Sequence, residues 1–346
     1  MTKNLKWVAL LALFSLLAAC ASSPTAANLP TAAPTTPEEH EEADLLALPP
    51  LQAAVLDGRP LRVVATTSLV ADAVARVGGD AISLTVLMGA GQDPHSYEPT
   101  ARDFAAVADA DVLFTNGWGL EEGLLGGLTN TAADVLIVPI SAGIEPLESG
   151  QSSHEEEEGD EEHEHGPADP HVWFRVANVI QWTQNAATAL SALDPAHAAD
   201  YAARAEAYTA ELTILQEELA TALATIPADK RKLVTNHDVF AYFAADYGFE
   251  VVGTVIPSSS TLAEPSANDL AELVALMRDE GVCTLFTENT TSGQLAQAIG
   301  AELGSCAAVQ ILPLYTDALG PTGSGAETYL DLMRHNAQTI VAGLAE

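Results

Sequence analysis

The stretch DPAHAADYAARAEAYTAELTILQEELATALATIP, residues 194–227, decides how the rest of the chain is arranged. It has no internal Gly or Pro, and its pattern predicts one helix, with Asp194 as N-cap and Pro195 in the first turn. Apolar residues recur at spacings that give one helical face: Tyr201, Tyr208, Leu212, Leu215, Leu219, Leu223 and Ile226. Such a helix would be roughly 45–50 Å long. We therefore expect it to join two lobes.

Length and composition agree with two lobes in one chain. A chain of 346 residues exceeds the usual size of a single hydrophobic core, and 48% of its residues are hydrophobic. The net charge of −35 argues against a nucleic-acid partner, because phosphate binding needs clustered Lys and Arg. The same charge favours a surface that attracts cations.

The first 20 residues have the layout of an export signal. Two lysines precede a short apolar run, which ends in Leu17-Ala18-Ala19-Cys20. This ending resembles a bacterial lipobox, in which Cys20 is lipidated; an ordinary cleavage site with a chance cysteine is the alternative. Residues 21–58, rich in Ala, Thr, Pro and acidic residues, are expected to form a flexible tether. These features predict an exported protein, periplasmic or lipid-anchored at the outer face of the cytoplasmic membrane.

Strands and helices alternate on both sides of the long helix, which is typical of an α/β fold with parallel sheets. Residues 59–193 are predicted to form the first lobe and residues 228–346 the second, with residues 194–227 as the connecting helix. The eight predicted strands are 61–67, 82–88, 111–117 and 134–140, then 232–238, 249–256, 282–288 and 307–315.

One segment of the first lobe, residues 148–168, interrupts this pattern. Between His154 and His165 it holds eight carboxylates and three imidazoles, those of His154, His163 and His165. Such a charge density cannot bury a core, so the segment is predicted to be a disordered loop.

Three histidines and one aspartate lie where a parallel α/β fold binds ligands, in loops near the carboxyl ends of strands. His95, His171, His237 and Asp317 are these residues. Any one histidine alone is more often a capped or solvent-facing residue than a ligand, but three imidazoles and a carboxylate are a stable ligand set for zinc. Asp-Pro-His occurs twice, so Asp93 and Asp169 could orient a loop or accept a ring N–H.

The two remaining cysteines, Cys283 and Cys306, fall near the starts of neighbouring predicted strands. In an oxidising compartment we expect them to form a disulfide; two buried free thiols are the alternative.

Four motifs in order carry a family resemblance: GQDPHSYEPT (91–100), DPHVWF (169–174), NHDVFAYFAADYG (236–248) and LYTDALGPTGSGAETYLDLMRHN (314–336). They resemble the metal-binding solute-binding lipoproteins of bacterial ABC importers (cluster A-I), and the zinc-uptake branch in particular. The resemblance implies two (β/α)4 lobes joined by a rigid helix, with the metal between them. The implied ligands are His95, His171, His237 and Asp317.

The resemblance also implies a metal and partners. Manganese members carry a glutamate where this chain has His237, so zinc is the expected cargo and Mn²⁺ the weaker alternative. Zinc members often have a His- and acid-rich loop before the second ligand, which the segment around His154, His163 and His165 resembles. The expected partners are a membrane permease and its ATPase, with the protein itself a monomer and not an enzyme.

Several alternatives stay open at this point. The fourth ligand could be water or another carboxylate, with Glu288 as a candidate, although a loop or cap role suits Glu288 better. His335, His197 and His40 are given no main metal role. Three histidines with an open position would also suit a zinc hydrolase. A lipoprotein used for adhesion or metal buffering would need no permease.

Overall fold

A computed structural model describes residues 45–128, 135–148, 168–304, 306 and 308–345. The predicted signal peptide with Cys20, the tether up to residue 44 and nearly all of the acidic loop, including His154, His163 and His165, lie outside the described residues. Among the described residues, no helix combines the length and apolar character that a membrane span requires.

The first half of the chain forms a four-stranded parallel sheet in the order β2-β1-β3-β4. Its strands are β1 (Leu61–Ala65), β2 (Ile82–Val86), β3 (Val112–Thr115) and β4 (Leu136–Pro139). Its helices are α1 (Ser68–Gly78), α2 (Ala101–Ala108), α3 (Glu122–Leu128) and α4 (Val176–Leu193). Thr100 caps α2, in a capping box with Asp103.

The segment before β1 differs from the flexible tether predicted to residue 58. Residues 45–58 have no helix or strand, yet Leu48, Leu51 and Leu56 pack against the core. The backbone N–H of Ala54 also donates to the carbonyl of Leu193. These leucines give the segment enough apolar surface to be held, which the Ala/Thr/Pro-rich residues before it lack.

The second half repeats the strand order of the first. Strands β5 (Lys232–Thr235) and β6 (Glu250–Thr254) form one parallel pair, and β7 (Thr284–Glu288) and β8 (Gln310–Leu314) form another. No ladder joins the two pairs in the described part of the chain, but β5 lies beside β7, so the spatial order is β6-β5-β7-β8. The helices are α6 (Ala241–Tyr247), α7 (Ala267–Asp279), α8 (Gln294–Glu302) and α9 (Tyr329–Leu344).

The long helix, α5 (Ala198–Leu223), is shorter than predicted. Its 26 residues span about 39 Å, and a separate 3₁₀ turn, Pro195–His197, precedes it. The predicted cap at Asp194 is wrong: its carboxylate accepts hydrogen bonds from His197 Nδ1 (2.6 Å) and Tyr201 Oη (3.0 Å), and caps no backbone N–H. Its side chain is therefore committed to side-chain partners.

The apolar face of α5 is buried as predicted, and it contacts both halves of the chain. All seven residues of the predicted stripe are buried. The helix packs against α1 and α4 of the first half and α9 of the second. The structure thus confirms the predicted α/β class with two parallel-sheet lobes; the exact domain boundaries stay predictions.

A disulfide joins Cys283 and Cys306, as predicted. It links the residue before β7 to the segment between α8 and β8. The cysteines lie at the amino ends of these strands, whereas the candidate site lies at the carboxyl ends. The disulfide therefore belongs to the framework of the second lobe.

Candidate metal centre

The structure brings the four predicted ligands together. His95 lies in the loop between β2 and α2, and His171 lies just before a 3₁₀ turn that leads into α4. His237 follows β5, and Asp317 follows β8. One ligand atom from each residue lies within 4.8 Å of all the others. The carboxyl ends of the strands therefore converge on one group of three imidazoles and a carboxylate.

Four of the six distances between the ligand groups match one small cation, and the other two are no longer than 4.8 Å. His171 Nε2 lies 3.2 Å from His95 Nε2 and 3.4 Å from His237 Nε2. The carboxylate of Asp317 lies 3.7 Å from His171 Nε2 and 3.6 Å from His237 Nε2. Four ligands about 2.1 Å from a tetrahedral ion would be about 3.4 Å apart. The group could hold a tetrahedral ion with small adjustments.

Among the described residues, one oxygen of the Asp317 carboxylate has no hydrogen-bond partner. Thr290 Oγ1 donates to Oδ2 at 3.3 Å, whereas Oδ1 is buried without a hydrogen-bond partner. A buried carboxylate oxygen without a partner is costly unless a cation or a donor faces it. Its position beside two imidazole Nε2 atoms suits a metal ligand.

The ring of His171 is fixed by the aspartate of its own Asp-Pro-His motif. Its Nδ1 lies 2.7 Å from Oδ1 of Asp169, which also accepts the backbone N–H of His171 at 2.9 Å. Both side chains are buried. Because Nδ1 faces this carboxylate, Nε2 is turned towards the other ligands.

The ring of His237 is fixed by Glu288, at the end of β7. Its Nδ1 lies 2.6 Å from Oε2 of Glu288, and its backbone N–H donates to Oε1 at 2.9 Å. Glu288 is thus the acceptor that orients His237. This role differs from the two considered from the sequence, a loop or cap residue and an alternative ligand. The sequence did not indicate it, because the two paired residues are 51 positions apart.

Comparison with known proteins agrees with this geometry. Residues 63–343 match the model of the family described as "ZnuA: Zinc-uptake complex component A periplasmic". The chain belongs to the ZnuA family. Members are metal-binding, substrate-binding proteins of ABC importers. Because the family consists of binding proteins and not enzymes, the alternative of a zinc hydrolase is excluded.

Individual relatives of this ZnuA-family chain differ in the metal for which they are named. The manganese-binding lipoprotein MntA of Halalkalibacterium halodurans is 35% identical over 84% of this chain and 90% of its own. The zinc-binding protein TroA of Treponema pallidum is 34% identical over 84% of this chain and 91% of its own. The solved TroA structure aligns with a TM-score of 0.71 and 32% identity, covering 83% of this chain and all of that one.

A manganese-bound structure is also similar. The periplasmic metal-binding protein of Candidatus Liberibacter asiaticus aligns with a TM-score of 0.70 and 27% identity, covering 82% of this chain and 99% of that one. These comparisons establish a divalent-metal carrier but leave its metal undecided.

Burial favours neutral rings for two of the histidines in this ZnuA-family site. Desolvation, reinforced by the charge of neighbouring imidazoles, lowers the pKa of His95 to about 3. Desolvation and the charge on His237 also hold the pKa of His171 well below its usual value. A neutral imidazole is the form that binds a metal.

The pKa of His237 is shifted in the opposite direction. Burial alone would lower its pKa, but the carboxylates of Glu288 and Asp317 outweigh that effect and raise it to about 9. Burial also raises the pKa of Asp317 to about 7, although the charge of His237 opposes the rise. Without metal, the two carboxylates therefore favour the protonated form of His237.

Two of the histidines that were given no metal role, His335 and His197, have other partners. The ring of His335 packs edge-on against Tyr315, with centroids 5.0 Å apart. The His197 side chain is 48% exposed and pairs with Asp194. His40 lies outside the described residues.

Proposed function

We propose that this ZnuA-family protein captures Zn²⁺ outside the cytoplasmic membrane and delivers it to an ABC-type permease powered by its ATPase. The observation that supports zinc is the ligand set of His95, His171, His237 and Asp317. Three imidazole nitrogens with one carboxylate suit tetrahedral zinc, whereas manganese suits a shell richer in oxygen.

Manganese is the competing cargo, since the relative MntA is named for it and covers the same part of this chain. The test is competition calorimetry with Zn²⁺ and Mn²⁺ on a protein lacking residues 149–167. The deletion removes imidazoles and carboxylates outside the described site that could bind extra zinc weakly. We expect one tight zinc site and much weaker manganese binding. Equal affinities for the two metals would overturn the assignment to zinc.

The acidic loop is proposed to collect zinc for the buried site. His154, His163 and His165 offer imidazoles among many carboxylates, without the fixed spacing of a tight site. Calorimetry of the intact protein should therefore show additional weak zinc binding that the loop deletion abolishes. Loss of the tight site on deletion would instead place one of its ligands within the loop.

Membrane attachment is proposed to depend on lipid on Cys20, with the protein acting as a monomer. The lipobox-like sequence that ends in Cys20 supports this proposal. Mass spectrometry of the membrane-extracted protein should find a lipidated N-terminal cysteine. A mature N-terminus at another residue would contradict it.

A surface adhesin or metal buffer, by contrast, would leave zinc uptake unchanged when the gene is deleted.

A further inference from the structure

The ligand His95 is held less firmly than the other two histidines. The rings of His171 and His237 are completely buried, and each has a carboxylate at Nδ1. The ring of His95 is only partly buried. Among the described residues, none hydrogen-bonds its Nδ1. The position of His95 therefore depends on its loop, residues 89–100, more than on contacts to the ring.

The carboxylate of Asp93 organises that loop. Its Oδ1 accepts the backbone N–H of His95 at 2.9 Å, and its Oδ2 accepts Ser96 Oγ at 2.8 Å. Both contacts are local to the loop. A third comes from the opposite lobe, because Thr261 Oγ1, in the segment between β6 and α7, donates to the same Oδ2 at 2.6 Å. Asp93 thus ties the His95 loop to the second lobe.

Elsewhere the two lobes meet through buried aromatic side chains. Trp173 Nε1 donates to the carbonyl of Thr316 (3.0 Å), and Tyr329 Oη donates to the carbonyl of Trp173 (2.7 Å). Tyr242 Oη donates to the carbonyl of Asp169 at 2.9 Å. These residues flank His171 and Asp317. His171 is consequently fixed in the same packed region as the two ligands of the second lobe.

The His95 loop has a weaker attachment to the second lobe. Apart from the ligand contacts, it is joined there by the Thr261–Asp93 hydrogen bond and by one backbone bond, from Gly91 N–H to the carbonyl of Leu319 at 3.1 Å. Thr261 and Asp93 are both partly exposed. Of the four ligands, His95 can therefore withdraw with the least disruption of buried packing.

We propose that the hydrogen bond from Thr261 to Asp93 controls the rate at which the metal leaves, by keeping His95 in place. Thr261 is a positioning residue: it touches no ligand atom and acts through Asp93. The hydrogen bond to a carboxylate is charge-assisted, so its loss should raise the rate of metal release measurably. The inference rests on the proposed function, since it assumes a metal bound by His95, His171, His237 and Asp317.

The test compares three variants of the full chain, each loaded with no more than one equivalent of zinc. Thr261→Val removes the hydroxyl while keeping the shape of the side chain, and Thr261→Ser keeps the hydroxyl while removing the methyl group. Thr221→Val makes the same change on α5, where the hydroxyl bonds only to the carbonyl of Glu217. Zinc loss to an excess of chromogenic chelator is followed by stopped flow.

We expect Thr261→Val to release zinc about tenfold faster, as for the loss of one charge-assisted hydrogen bond. Thr261→Ser should release it close to the wild-type rate, and Thr221→Val at that rate. Because Thr221→Val also loses one hydroxyl hydrogen bond, but on α5 and without touching Asp93, it measures the effect of a small loss of stability alone. This separates positioning of His95 from a general loss of stability.

His237→Ala distinguishes failure of this inference from failure of the proposed site. If His237→Ala loses tight binding but Thr261→Val releases zinc at the wild-type rate, the site is right and the role of Thr261 is wrong. An equal acceleration in Thr221→Val would also overturn that role. If His237→Ala binds zinc as tightly as wild type, the proposed site is wrong and the inference falls with it.

Discussion

The Nδ1 atom of His237 lies 2.6 Å from Oε2 of Glu288, and the other oxygen of that carboxylate accepts the backbone N–H of His237 at 2.9 Å. The two bonds fix the ring and the backbone together. Because Nδ1–H is donated to Glu288, Nε2 is the nitrogen left for a metal. The acceptor comes from a neighbouring strand, so the orientation of this ligand depends on the β5–β7 contact.

Replacing Glu288 tests this support. Glu288→Gln keeps the size of the side chain but removes its charge and leaves one acceptor oxygen for three donors, which are the ring and backbone N–H of His237 and the hydroxyl of Thr316. We expect the affinity for zinc to fall roughly 10- to 100-fold, as is typical when a hydrogen-bond acceptor behind a metal-ligating histidine is lost. Calorimetry measures the loss. Glu218→Gln, at an exposed ion pair with Arg334, is the control and should bind as wild type does.

Metal binding should release protons at neutral pH. Because the pKa of His237 is raised to about 9, its Nε2 carries a proton at pH 7 that zinc must displace. Affinity should therefore fall as the pH decreases from about 9, by about tenfold per unit for one proton, and more steeply below about 7, where the carboxyl of Asp317 must also lose its proton. His95, with its pKa lowered to about 3, should add nothing to this dependence near neutrality.

Calorimetry at pH 7 in two buffers with different ionisation enthalpies measures the number of protons released. We expect about one or more per zinc. Glu288→Gln, which removes the negative charge that raises the pKa of His237, should release fewer. Binding enthalpies that do not depend on the buffer would show that His237 is already neutral in the metal-free protein.

The disulfide should stabilise the second lobe without affecting the metal. Cys283 and Cys306 are 23 residues apart, and closing a loop of that size contributes about 3 kcal/mol in the chain-entropy model. The double variant Cys283→Ser/Cys306→Ser should lose stability of that order in urea unfolding, while its zinc affinity stays unchanged. A changed affinity at full folding would contradict the separation of the disulfide from the site.

The clustering of the three histidines was predictable because each has a local sequence signal, whereas Asp317 has none beyond the family motif that contains it. His95 and His171 follow Asp-Pro, and His237 comes shortly after an apolar strand, where a parallel sheet presents its loops. The partner of His171 was also predictable from local sequence, since Asp169 lies two residues before it.

Contacts between distant parts of the chain were not predictable in this way. Glu288 and Thr261 act on residues 51 and 168 positions away, and neither has a motif that identifies its partner. The start of α5 was mispredicted for a related reason. Asp194 is a good cap by residue type, but its carboxylate pairs instead with His197 and Tyr201 once Tyr201 is buried.

Replacing His237 and Asp317 in turn by alanine should show which of the two side chains stabilises the metal-free protein and which destabilises it. His237→Ala leaves the buried carboxylate of Glu288 without the imidazole beside it, with only the backbone N–H of residue 237 and the hydroxyl of Thr316 as donors, and a buried charge that loses its ion-pair partner is destabilising. Asp317→Ala removes a buried carboxylate that has one oxygen without a partner, so the metal-free protein loses a group whose burial is itself costly. Water can also replace a carboxylate oxygen more readily than it can replace an anchored imidazole.

We therefore expect His237→Ala to lower both the unfolding temperature of the metal-free protein and the affinity for zinc. Asp317→Ala should lower the affinity less, and leave the unfolding temperature of the metal-free protein unchanged or higher. Thermal unfolding with and without one equivalent of zinc measures both effects, because a ligand that binds only the folded state raises the unfolding temperature according to its affinity. A larger loss of affinity in Asp317→Ala would mean that the charge of the carboxylate, more than the anchored ring, holds the metal.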